Sequence, residues 1–208
     1  MLFDVSRGEL VGLFGEDRVA TLSGTALPTG VVETEGARLL RTVGVPTGTL
    51  GLREPDEGSG LLPLVRDVVD VEGSPEGAGE WPVIGWLLNA HLALDPRSGR
   101  VYAFDADEST ARVLHADVSS LIQVTLRFQR LLDEFTFSGE DGEEGDYGDE
   151  EAGFERLERA VEEVRRATSG IDPFPFQDDE TVWSVVGDEI AAGQRFTGDS
   201  PAARSLYG

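Results

Sequence analysis

The stretch HLALDPRSGRVYAFDAD, residues 91–107, constrains the fold more than any other part of the chain. Two apolar runs flank a turn in which Asp95-Pro96 begins the reversal and Gly99 can supply positive φ, and the returning run is of the Val/Tyr/Phe type that suits a pleated strand. Such a hairpin pairs antiparallel. Further short apolar segments at 61–71, 83–88 and 112–116, separated by Gly, Pro, Ser and Asp, extend it into a central β region.

Helical patterns lie to either side. Ser6 and Glu9 stand in a capping-box relation ahead of Leu10, Leu13 and Phe14, so a first helix is predicted to end at Gly15. DRVATL at 17–22 reads as a brief strand. ARLLRTVGVP at 37–46 reads as a second helix, with Gly44 placed for a left-handed C-terminus and Pro46 preventing continuation. Beyond the strands, Ser120 and Gln123 suggest a second capping box for a helix over about 119–135, with Arg127 and Arg130 turned to solvent. A helix over about 152–168 carries Phe154, Leu157, Val161 and Val164 at intervals of three or four, and a last one near 180–192 is anchored by Trp183, Val186 and Ile190. Strands gathered together and followed by helices predict an α+β protein, with a central, mostly antiparallel sheet flanked by helices.

Charge narrows the partners. The chain holds 40 acidic and 17 basic residues among 208, a formal charge of −23, and has no cysteine. Such a molecule repels nucleic-acid phosphate and anionic lipid, and attracts a basic partner. Disulfide and thiolate chemistry are excluded. MLFDVSRGEL lacks the basic and apolar regions of a secretory signal, and the best apolar stretch, VIGWLLNAHLAL at 83–94, is too short to span a bilayer, so a cytoplasmic protein is expected.

The acid is concentrated in SGEDGEEGDYGDEE, residues 138–151, which has eight carboxylates and no basic residue. A mobile loop inserted in the domain is expected there, and residues 197–208 read as a flexible tail. Extended at about 3.4 Å per residue, the loop's charges stand about 6 Å apart, inside one Debye length of ~8 Å, so they act jointly. That is too sparse to imitate a duplex, with one charge per ~1.7 Å. Deleting 139–150 is expected to leave folding unchanged.

Catalytic signatures are absent from the sequence: no phosphate-binding glycine loop, no H-E-x-x-H and no nucleophile elbow. His91 and His115 lie in predicted strands without neighbouring ligands at a recognisable spacing, and each is read as structural. Asp105, Asp107 and Glu108 could make a metal or acid/base site, but no glycine and no distal Glu completes a calcium loop, so a solvated turn is the reading adopted. Trp81, Trp86 and Trp183 are read as core. No enzyme, cofactor or metal is expected.

Several blocks in order resemble the SUKH-4 family of bacterial immunity proteins, in the superfamily that includes the yeast cell-wall regulator Smi1/Knr4. They are LFDVSRGELVGLFGEDRV at the start, ARLLRTVGVP, LALDPRSGRVYAFDAD, ADVSSLIQVTLRF and TVWSVVGDEIAAG, spanning about residues 2–193. The resemblance implies a single SUKH-like domain over 1–196. It also implies a cytoplasmic protein that binds and neutralises a cognate polymorphic toxin, commonly a nuclease or nucleic-acid deaminase. The alternative it carries is a regulatory scaffold binding cellular proteins. The acidic insertion departs from the family pattern, and its residues Asp141, Glu143, Glu144, Asp146, Tyr147, Asp149, Glu150 and Glu151 are the expected partner contacts, with Tyr147 as the anchor able to bury most area.

Overall fold

A computed structural model of the chain describes residues 1–46, 51–52, 59–70, 73–87, 90–105, 110–135 and 147–196, with the backbone alone at 51–52 and 147–150. It resolves into two compact units, Met1–Gln123 and Val124–Gly208.

In the first unit, Ser6 Oγ accepts from Glu9 N–H while Glu9 accepts from Ser6 N–H, and this reciprocal cap opens α1 (Arg7–Phe14), which buries Leu10 and Phe14. The predicted strand at 17–22 shrinks to β1 (Val19–Ala20), because Glu16–Arg18 form a 3-10 turn. After a single turn, α2 (Thr29–Val32), comes α3 (Glu35–Thr42), which starts two residues earlier than predicted because Thr34 caps it, accepting from Ala37 N–H at 3.2 Å. The expected stop is present: Gly44 has φ +84°, and β2 (Val45–Pro46) then pairs antiparallel with β1.

Five strands form the main sheet: β3 (Gly51–Leu52), β4 (Val83–Leu87), β5 (Ala90–Leu94), β6 (Val101–Asp105) and β7 (Thr110–His115), all antiparallel and ordered as in the chain. The predicted hairpin is β5–β6. Asp95 Oδ1 accepts from Arg97 N–H at 2.9 Å, Ser98 Oγ donates to Asp95 Oδ2 at 2.5 Å, and Gly99 turns with φ +76°. On one sheet face Val83, Ala93 and Phe104 pack with Val65, Ala78 and Trp81, and the Trp81 ring lies 4.7 Å from that of Tyr102. On the other, Leu92, Leu94 and Val101 are fully buried. There α3 approaches so closely that a Cβ on Gly36 would stand 3.1 Å from Val118 and 3.2 Å from Leu94.

The segment 61–71 is a correction. Among its described residues only Leu64 makes a strand-like bridge, to Pro82, and Val65–Val68 form the short helix α4, with Asp67 accepting from Leu64 N–H at 3.0 Å. Its Val65, Val68 and Val69 recur at i, i+3 and i+4, which directs all three to one side, against the sheet core.

The helix α5 (Val118–Glu134) begins in the first unit and ends in the second. Its cap is Asp117, whose Oδ1 accepts from Ser120 N–H at 2.9 Å, and not Ser120 as the sequence suggested. In the second unit follow α6 (Tyr147–Ser169) and α7 (Val182–Ala191), the latter capped by Thr181. Trp183 stacks on Phe128 with centroids 5.9 Å apart, and Phe176 meets Phe128 edge-on at 6.0 Å. Arg127, expected in solvent, donates instead to Thr168 Oγ1 at 2.8 Å, and partial burial lowers its pKa. The tail 197–208 lies outside the described residues.

Candidate partner-binding surface

Of the expected partner contacts, Asp141, Glu143, Glu144 and Asp146 lie outside the described residues. The other four correct the predicted loop boundary: Tyr147, Asp149, Glu150 and Glu151 belong to the first turns of α6, which begins five residues before the position the apolar spacing suggested. Carboxylates are unfavourable in a compact loop but favourable at a helix N-terminus, where they meet the positive end of the backbone dipole. Arg166 in the last turn complements the opposite end. Glu151 is exposed.

Further along, α6 buries Leu157 and Val161 inward, while Phe154, expected on that apolar side, is 37% exposed. Its outward face is charged but largely self-compensated. Glu155 pairs with Arg159 at 3.6 Å and Glu162 with Arg166 at 4.0 Å, each one helical turn apart. Exposed pairs of this kind contribute about 0.3–0.5 kcal/mol each.

Arg165 ties α6 to α7 by donating to Ser184 O at 2.9 Å and to Asp188 Oδ1 at 2.6 Å. Its guanidinium lies flat against Gly187, where a Cβ would stand 2.9 Å from Nη2. A groove of about 500 Å³ opens beside this contact, and Glu158, Glu162, Glu163 and Asp188 share it with Arg159, Arg165 and Arg166. Four carboxylates against three guanidiniums leave it close to neutral. The strongly acidic part of the second unit is therefore the start of α6 and the sequence leading into it: between Arg130 and Arg156 there are eleven acidic residues and no basic one.

The candidate chemical groups are placed as follows. His115 at the end of β7 is completely buried, with Nδ1 3.0 Å from Ser120 Oγ, and desolvation pushes its pKa down to about 3. This Ser–His contact is a core hydrogen bond, sealed from any substrate. His91 is half-buried on β5. Asp105 ends β6, while Asp107 and Glu108 lie outside the described residues, and among the described residues no three His, Cys, Asp or Glu side chains gather as a metal site. Trp81 and Trp183 are core, at 5% and 0% exposure, but Trp86 is 42% exposed. Sequence reasoning missed this because a bulge between Val83 and Gly85 resets the alternation of β4. Trp86 is left opposite His91 on one side and Gly51 on the other.

A family model for SUKH-4 immunity proteins matches residues 5–189, nearly nine-tenths of the chain. The chain belongs to the SUKH-4 immunity protein family. No curated protein and no solved structure matches it significantly. The match covers most of both compact units, takes in the β5–β6 hairpin, and agrees with the α+β architecture expected from the sequence. Membership in SUKH-4 supports an immunity-protein role, which implies a cognate toxin as the binding partner and a family that is generally non-catalytic. Among the described residues no helix is long and apolar enough to cross a membrane.

Proposed function

We propose that this SUKH-4 protein neutralises a cognate polymorphic toxin, a nuclease or nucleic-acid deaminase, by occupying the basic cleft that holds the toxin's nucleic-acid substrate. The observation that carries this reading is the distribution of charge. The chain is at −23, and residues 131–155 hold eleven carboxylates and no basic residue and run into α6, where Glu151 is exposed. A cleft shaped for phosphate presents Arg and Lys, so an acidic inhibitor gains both long-range attraction and charge-assisted contacts at the place where substrate must enter. Asp141, Glu143, Glu144, Asp146, Asp149, Glu150 and Glu151 supply the charge, and Tyr147 the aromatic anchor. The protein acts in the producing cell's cytoplasm and makes or breaks no bond.

The test is co-expression with the toxic domain encoded beside this chain's gene, together with stopped-flow association of the purified pair. Protection is expected, with an association rate that falls about tenfold or more between low and physiological salt. Replacing Asp141, Glu143, Glu144 and Asp146 by Asn or Gln leaves α6 intact and is expected to remove much of that salt dependence. Failure of the wild-type chain to protect would overturn the proposal. An unchanged low-salt rate in the neutralised variant would remove the acidic segment from it.

A further inference from the structure

We infer that Trp86 is a second contact for the toxin, and that it receives a cationic side chain, Arg or Lys, on the face of its indole ring. The inference rests on the toxin-binding reading above and concerns the first compact unit, away in sequence from the acidic segment.

Trp86 stands apart from the chain's other tryptophans, which are buried. It lies mid-sheet on β4, in a row whose neighbours are Gly51 on β3 and His91 on β5. Its partner on β3 is a glycine, which offers no side chain to cover the ring, and Trp86 is 42% exposed. Tryptophan is the best aromatic acceptor for a cation and is enriched where binding energy concentrates.

Charge selects the occupant. The described residues of β3, β4 and β5 include no Arg or Lys, so an incoming cation meets no fixed like charge on these strands. Asp105 ends β6 in the next row, Leu87–Ala90–Asp105, and so faces the other side of the sheet, adding only to the general negative field. Residues 1–123 carry nineteen acidic and nine basic side chains, so this unit is itself negative. A second copy of the chain would bring a further −23 and be repelled, as would an anionic membrane. A basic toxin surface fits both the ring and the field around it.

The experiment measures, by calorimetry, affinity for the toxic domain encoded beside this chain's gene, using the full wild-type chain and the variants Trp86→Ala, Trp86→Leu and Trp86→Phe. Because Trp86 is solvent-facing, all are expected to melt cooperatively near the wild-type temperature. Trp86→Ala and Trp86→Leu are expected to weaken binding about tenfold, and Trp86→Phe, which keeps an aromatic face, to recover part of the loss. Wild-type affinity in the Ala variant would overturn the inference while leaving the proposed function standing. Wild-type affinity in the Leu variant would show a greasy contact and overturn the cationic occupant. Sedimentation showing a wild-type dimer that Trp86→Ala dissociates would reassign the patch to self-association. A wild-type chain that fails to bind the toxic domain would sink both readings together.

Discussion

His115 makes stability depend on acidity in a way that can be worked from its surroundings. The ring is completely buried, its Nδ1 is 3.0 Å from Ser120 Oγ, and desolvation lowers its pKa from 6.5 to about 3. In the unfolded chain the imidazole takes up a proton below about 6.5, whereas the folded chain refuses it until about 3. The stability contributed by the neutral folded form is therefore complete above 6.5 and lost as pH falls towards 3. The slope approaches about 1.4 kcal/mol per pH unit, so moving from pH 7.5 to pH 5 costs about 2 kcal/mol. Acidification also relieves the self-repulsion of a −23 chain, which acts in the opposite direction, so the histidine must be isolated by difference. His115→Gln keeps a polar group beside Ser120 but does not titrate. Urea unfolding of both proteins at pH 7.5 and pH 5 should show the wild type losing about 2 kcal/mol more than the variant between the two conditions. Parallel loss in both would refute the idea that a buried neutral imidazole governs this window.

Other outcomes can be read from the same geometry. Gly44→Ala forces an L-residue into φ +84° and brings its Cβ within 2.5 Å of Ala20 O, so a destabilisation of about 2–4 kcal/mol is expected in the urea midpoint, without a change in slope. Asp117→Ala removes the cap of α5 and should cost about 1–2 kcal/mol, whereas Asp117→Asn, which keeps an acceptor oxygen, should retain most of it in thermal melts. Trp183→Ala empties the space stacked on Phe128 and should cost about 3–5 kcal/mol, reported by loss of near-ultraviolet circular dichroism and a lower melting temperature. Glu155→Gln breaks only an exposed pair with Arg159 and should move stability by less than about 0.5 kcal/mol.

These contrasts match what could be read from the residues alone. Signals confined to a few neighbouring positions transferred well: the Ser6/Glu9 box, the Gly44 stop and the Asp95–Gly99 turn each satisfy their own hydrogen bonds locally. Where tertiary packing decided, the reading slipped. LVRDVV looked strand-like because Val favours strands, yet the sheet already present favoured a helical turn that put Val65, Val68 and Val69 on one side. Arg127 lies off the apolar stripe, which points it to solvent in the sequence, but Thr168 on α6 receives it. The acidic run was read as loop through to residue 151, because composition hides that three of its carboxylates, Asp149, Glu150 and Glu151, would stand at a helix start. Trp86 was legible as a strand residue but not as an exposed one, since a one-residue bulge reverses which side of a strand a side chain takes.

Each strand of the main sheet pairs only with its neighbours in the chain, from Gly51 to His115. From β4 to β7 assembly can therefore advance hairpin by hairpin, closing short loops in turn, while β3 joins across the thirty residues that precede β4. For an antidote, speed of maturation matters as much as tightness of grip: the sheet can be in place soon after its last strand is synthesised, before a newly made toxin has time to do harm.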